Sequence, residues 1–227
     1  MTATEVPAAQ VRPRADLRRT ERITAAVLMP IGPAAIALVR YFYVDPGTGP
    51  TDPGIGSAMF WVGMVGLLTL LPGAYVALKL LRRTTPRLAA WTAAFLIPGC
   101  LAMPALVAVD AFALVAPGLG LDPAVESRIL TALTELPQLM VLVLVFVVGH
   151  IVGTVLLGVT MIVGRAAPTA IGILMTVSQP LHLTAGIVGS PTLDLVAWGL
   201  TALGMGFLAH RVLRTPNDAW DLPPLPR

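Results

Sequence analysis

Apolar residues fill this chain in six long blocks, at about 23–44, 57–81, 88–112, 137–163, 168–190 and 192–213. Each is near the ~20 residues that an α-helix needs to cross a bilayer. Short polar connections separate them. Asp45 to Gly54 is acidic and turn-rich; Lys79, Arg82, Arg83 and Arg87 surround the second connection; Arg165 follows the fourth block; Arg211, Arg214 and Arg227 lie at the end. The pattern predicts an all-α integral membrane bundle of six transmembrane helices. Its membrane domain covers 23–213, between a disordered basic tail at 1–22 and a short tail at 214–227.

The connection between the third and fourth blocks has a different rhythm. Asp122-Pro123 reads as a helix N-cap followed by proline at the first helical position. Val125, Ile129, Leu130, Leu133 and Leu136 then recur at helical spacing, with Glu126, Arg128 and Glu135 off that stripe. This predicts a short amphipathic helix on the outer surface or over the bundle.

The fifth span departs most from a plain apolar run. At 100° per residue, Pro168, Gly172, Met175, Ser178, Gln179, His182, Gly186 and Gly189 fall near one line, and Ile173, Leu174, Val177, Leu181 and Ile187 lie opposite. Small and polar residues favour close helix contacts and interhelical hydrogen bonds in membranes, so this stripe should face protein. The fourth span places His150 near its midpoint, with Gly153, Thr154 and Leu157 on the same face. The Gly149–Gly153 pair suits close approach of another helix. The short Arg165 connection suggests that spans four and five are antiparallel neighbours whose striped faces meet. Three prolines, Pro30, Pro72 and Pro98, recur beside Gly32, Gly73 and Gly99 in the first three spans. Each bends its helix and frees a carbonyl.

Composition agrees with a bilayer as the solvent. The chain is 56% hydrophobic and 12% charged, against about 25% charged in soluble domains. The isoelectric point of about 9.6 reflects flanking arginines rather than a nucleic-acid surface. With the N-terminus in the cytoplasm, all of the 15 basic residues except Arg40 and Arg128 fall on the inner side. The positive-inside rule therefore puts both termini in the cytoplasm and the protein in the cytoplasmic membrane. The single cysteine, Cys100, excludes an intrachain disulfide and reads as a small core residue.

Polar groups in hydrocarbon mark packing or function. The candidate ligand-binding set is His150, Ser178, Gln179, His182 and Asp110, lining a cavity between spans four and five for a small polar or protonatable solute. Histidine suits such a role because small environmental changes move its titration across physiological pH. The alternative is a non-catalytic scaffold or partner subunit, whose polar residues only join helices. Arg40 beside Tyr41 and Tyr43 fits an interfacial anchor, or else an outer ion pair with Asp194 or Asp110. Asp194 also fits a first-turn carboxylate, since Ser190-Pro191 reads as N-cap and first helical position.

Catalytic and cofactor readings are weaker. His150 lies about 13 residues from the outer end of its span and His182 about 8, so their depths differ by roughly 7–8 Å. That fits poorly with two axial ligands of one haem. There is no His-Glu-x-x-His pattern for zinc, and Ser178 lacks a nucleophile-elbow context. No catalytic residue, metal or cofactor is expected. The expected partners are the lipid bilayer and a second copy or another membrane protein.

At Gly149-His150-Ile-Val-Gly153, Ser178-Gln-Pro-Leu-His182 and Leu193 to Gly204, the sequence resembles small multi-pass membrane proteins of high-GC bacteria. The resemblance covers about residues 24–213. It implies the six-span fold and carries no activity.

Overall fold

The computed structural model describes residues 17–42 and 53–220. Most of the expected N-terminal tail, Tyr43, nearly all of the acidic loop after it and the chain beyond Trp220 lie outside those residues. Eight α-helices follow in order: α1 (Arg18–Phe42), α2 (Pro53–Leu81), α3 (Pro86–Val115), α4 (Pro123–Thr134), α5 (Pro137–Val163), α6 (Thr169–Val188), α7 (Pro191–Arg214) and α8 (Asn217–Trp220). A turn of 3-10 helix at Ala116–Leu119 extends α3. Six of them, α1, α2, α3, α5, α6 and α7, are long and apolar enough to span a membrane, so this is an all-α membrane bundle. The first helix begins at Arg18, so Arg18, Arg19 and Arg22 belong to α1 rather than to a tail.

Local sequence sets the helix ends. Pro86, Pro123, Pro137 and Pro191 each open a helix, where a missing N–H costs nothing and φ is already helical. Asp122 caps α4 by accepting from the Ala124 N–H at 2.8 Å, and Ser190 caps α7 by accepting from Leu193 at 3.3 Å. The end of α5 is a Schellman turn, with Ala166 N–H bonded to the Met161 carbonyl and Arg165 N–H to that of Ile162. Arg165 occupies its left-handed position at φ 48°, where glycine is the usual occupant. The amphipathic α4 has no buried residue. Its stripe of Val125, Ile129, Leu130 and Leu133 is partly buried, and the rest of the helix is largely exposed.

The six long helices close into a ring. α1 packs against α2 and α7, α2 against α3, α3 against α5, α5 against α6, and α6 against α7. Glycines set the closest crossings. A methyl group built on Gly99 of α3 would stand 2.6 Å from the backbone nitrogen of His150, and one on Gly149 would stand 2.6 Å from the Gly99 Cα. Gly153 meets Leu96 in the same way at 2.7 Å, Gly32 meets Leu70 at 2.8 Å, and Gly73 meets Met29 at 3.0 Å. The Pro-Gly steps of α2 and α3 thus do more than bend their helices. Each glycine is a point where two backbones touch, which any side chain would prevent. The partner that the Gly149–Gly153 pair admits is α3.

Both described ends of the chain meet at one end of the bundle. Arg22 Nη1 donates to the carbonyls of Leu213 (2.7 Å) and Thr215 at the end of α7. Arg18 pairs with Asp218 at 3.3 Å. Lys79 Nζ sits 2.9 Å from Glu21 Oε1 and 4.7 Å from the centroid of the Trp220 ring. Trp220 donates to the same Glu21 oxygen at 3.3 Å, and Arg83 donates to the Ala219 carbonyl at 2.6 Å. Cations therefore gather where α2, α5 and α7 end and expose carbonyls, the favourable end of each helix dipole.

Candidate functional site

The polar stripe of α6 faces α7 more than α5. Gln179 Nε2 donates to Thr201 Oγ1 at 2.9 Å, and Thr201 Oγ1 bonds Ser178 Oγ, also at 2.9 Å. Ser178 in turn donates to the Met175 carbonyl at 2.8 Å. The contact between α6 and α5 is made instead by Gly172 and Thr176 against Gly158. This differs from the expected meeting of polar faces between spans four and five. The reason lies in side-chain size: Gly158 and Gly172 let α5 and α6 approach through the glycine part of the stripe. The bulkier Ser178, Gln179 and His182 are left to the next neighbour. α5 contributes His150 to the cluster.

One turn further toward the α4 end lies the charged part. Asp194 Oδ2 accepts from Arg40 Nε at 2.7 Å, and its Oδ1 bonds His182 Nδ1. Asp194 is buried. The arginine comes from α1, the carboxylate from α7 and the histidine from α6, so this chain ties three helices. Arg40 thus serves an ion pair as well as sitting beside the aromatic Tyr41, and Asp194 does more than favour a helix start. Asp110 lies within electrostatic reach of Arg40 but makes no hydrogen bond to the three among the described residues. It lies exposed on α3, outside the hydrogen-bonded cluster.

His150 and His182 stand side by side, with ring centroids 5.6 Å apart at 55°. The depth difference read from residue counts does not survive at the rings. Helical side chains lean toward the N-terminus of their own helix. α5 and α6 are antiparallel, so His150 leans toward the α4 end while His182 leans away from it. The two imidazoles converge from opposite levels. That removes the depth objection to a shared site. It creates no room for a haem between them, because α5 and α6 are in backbone contact at Gly158.

The ring environments are distinct. His150 Nδ1 lies 2.6 Å from the Phe146 carbonyl, four residues earlier on its own helix. A carbonyl only accepts, so Nδ1 carries the proton and Nε2 the lone pair. That Nε2 is buried and has no hydrogen-bond partner. Phe146 stacks on the ring at 4.3 Å, and Trp198 lies parallel to it at 5.9 Å. Asp194, paired to a guanidinium, is an acceptor too, so His182 Nδ1 donates to it. The Trp198 indole nitrogen, 3.2 Å from that same Nδ1, therefore packs on the ring edge and is not a second bond. Gln179, fully buried, leaves its Oε1 without a partner as well. Two buried acceptors of this cluster thus have no hydrogen-bond partner among the described residues.

Trp198, Thr201 and Phe146 belong to this cluster, and residue-type reasoning did not select them. A signal existed for two. Asp194, Trp198 and Thr201 are spaced by four and seven residues, which places them on one face of α7. Phe146 enters only through its carbonyl and its stacking, and neither has a sequence signature. Among the described residues no three His, Cys, Asp or Glu side chains converge as a metal cluster. Cys100 is buried and free. No protein-family model, no curated protein and no solved structure matches the chain.

Proposed function

We propose that this integral membrane protein binds a small polar or protonatable solute at the cluster formed by His150, His182, Gln179 and Asp194, and passes it across the bilayer. The observation that supports this is the pair of buried, unpartnered acceptors, His150 Nε2 and Gln179 Oε1. An unmade buried hydrogen bond costs about 1–3 kcal/mol, a burden that a scaffold has no reason to keep. The Arg40–Asp194 pair leaves the region electrically balanced before any solute arrives. We place both termini in the cytoplasm, because the arginines flanking the spans gather at the end of the bundle where Arg18 meets Asp218. The same reading takes the cytoplasmic membrane as the setting.

A thermal-shift panel on detergent-purified protein tests the reading. A solute at 100 times its Kd stabilises by about 2.7 kcal/mol. The expected result is such a shift in the wild type and its loss in the His182→Ala/Gln179→Ala double variant, with a melting transition retained. The competing reading is a non-catalytic scaffold or partner subunit, alone or as a homo-oligomer. Its support is that other buried hydroxyls already join helices, as Thr92 Oγ1 does with Thr160 Oγ1 at 3.1 Å. A double variant that fails to fold, together with a wild type that no solute shifts, would decide for the scaffold.

A further inference from the structure

We infer that the solute held between His150 and His182 is a soft monovalent metal cation of the Cu(I) class, bound through the two Nε2 atoms; this rests on the solute-binding reading above. Both imidazoles carry the anchoring that metal-ligating histidines show. The Nδ1–H of each is committed to an acceptor, the Phe146 carbonyl for His150 and the Asp194 carboxylate for His182. Such partners fix ring orientation and leave Nε2 as the free donor of an electron pair. In His150 that atom is buried with nothing to bond.

The spacing suits one ion between the rings. With a metal–nitrogen bond of about 2.0 Å, each ring centroid lies about 3.2 Å from the ion. With both Nε2 atoms turned to the ion, centroids 5.6 Å apart would correspond to a nitrogen–metal–nitrogen angle of about 120°. At that angle an ion would keep a third coordination position that no His, Cys, Asp or Glu of the described residues fills, which suits an ion in transit. The absence of a third His, Cys, Asp or Glu among the described residues argues against a closed four-ligand structural site.

Charge and softness select the ion. Arg40 and Asp194 cancel, and both imidazoles bind as neutral bases, so the site adds no negative charge. An unbalanced charge in hydrocarbon is costly, and the cost rises with the square of the charge, which disfavours a divalent ion. Hard cations such as Mg²⁺ and Ca²⁺ require several oxygen ligands, whereas imidazole suits copper and its neighbours. The Trp198 ring, 5.4 Å from His182 and 5.9 Å from His150, packs against both imidazoles and helps hold them in place. Binding moves no proton and no electron.

The test is competition for Cu(I) between the purified protein and a bicinchoninate chelator under reducing conditions, with Ag(I) as a redox-inert probe. The wild type should hold one ion per chain, with a nitrogen-only first shell by X-ray absorption. His150→Ala or His182→Ala should weaken binding by about 100-fold or more, and Asp194→Asn by about 10–100-fold, as loss of an outer anchor does. Met175→Leu and Cys100→Ala should bind as the wild type does. If His150→Ala does not fold, His150→Gln serves, since it keeps an acceptor without the imidazole. Binding that survives loss of both histidines, or a sulfur shell, would overturn the inference. A wild type that binds neither ion, but shows a His-dependent melting shift with ammonium or an amine, would overturn the metal and leave the solute site standing. No response to any probe would overturn both.

Discussion

The Arg40–Asp194 pair should respond asymmetrically to the loss of either partner. The side chain of Asp194 is only 4% exposed, while that of Arg40 is 32% exposed. Replacing Arg40 by alanine strands a buried carboxylate with only the His182 N–H to answer it. Removing one partner of a buried pair costs about 3–5 kcal/mol, and Arg40→Ala should fall in that range. Replacing Asp194 by alanine strands a guanidinium that can turn its long stem toward the headgroup region. What remains is the lost anchor of His182, an interhelical hydrogen bond worth about 0.6–1.7 kcal/mol in a membrane. Asp194→Ala should therefore cost about 1–2 kcal/mol. Since apolar replacement of a whole buried pair is often neutral, Arg40→Leu/Asp194→Leu should lie within about 1 kcal/mol of the wild type. Unfolding by SDS titration in mixed micelles measures all three, and the single variants Arg40→Leu and Asp194→Leu complete the double-mutant cycle with the Leu/Leu double. The reasoning is refuted if Asp194→Ala costs as much as Arg40→Ala, or if the cycle shows no coupling.

Two further expectations concern the frame around the site. Gly99→Val or Gly149→Val should cost about 3 kcal/mol or more and separate α3 from α5, because the new side chain meets backbone at 2.6 Å; Gly199→Ala, with nothing within 4 Å, should be neutral or stabilise by up to about 1 kcal/mol, and thermal melting of the three variants checks the contrast. Trp220→Ala should free α8 from Glu21 and Lys79 and speed limited proteolysis near Thr215 without changing solute response, whereas an unchanged cleavage rate would mean that α8 is held by Arg83 and Arg18 alone.

Hydropathy along the chain already specified six spans, because transfer into a bilayer is a property of each residue and sums locally. Helix ends were equally legible: Asp122-Pro123 and Ser190-Pro191 carry their caps in adjacent residues. The polar side of α6 could be read from its 100° periodicity, and Gly149–Gly153 could be read as a place of close approach. The partners of these faces could not be read. Which helix meets Gly149 is decided by Gly99, fifty residues away, through the fit of two bare backbones. Ser178 and Gln179 face α7 because glycines on the same stripe let α5 occupy the other side. Arg40 and Asp194 lie at opposite ends of the membrane domain, and only closure of the ring by α1 against α7 joins them. His150 and His182 looked too far apart in depth, because counting residues measures where a Cα lies and not where a side chain leans. In antiparallel helices that lean has opposite sign, and it is the tertiary arrangement that turns two separate histidines into one pair.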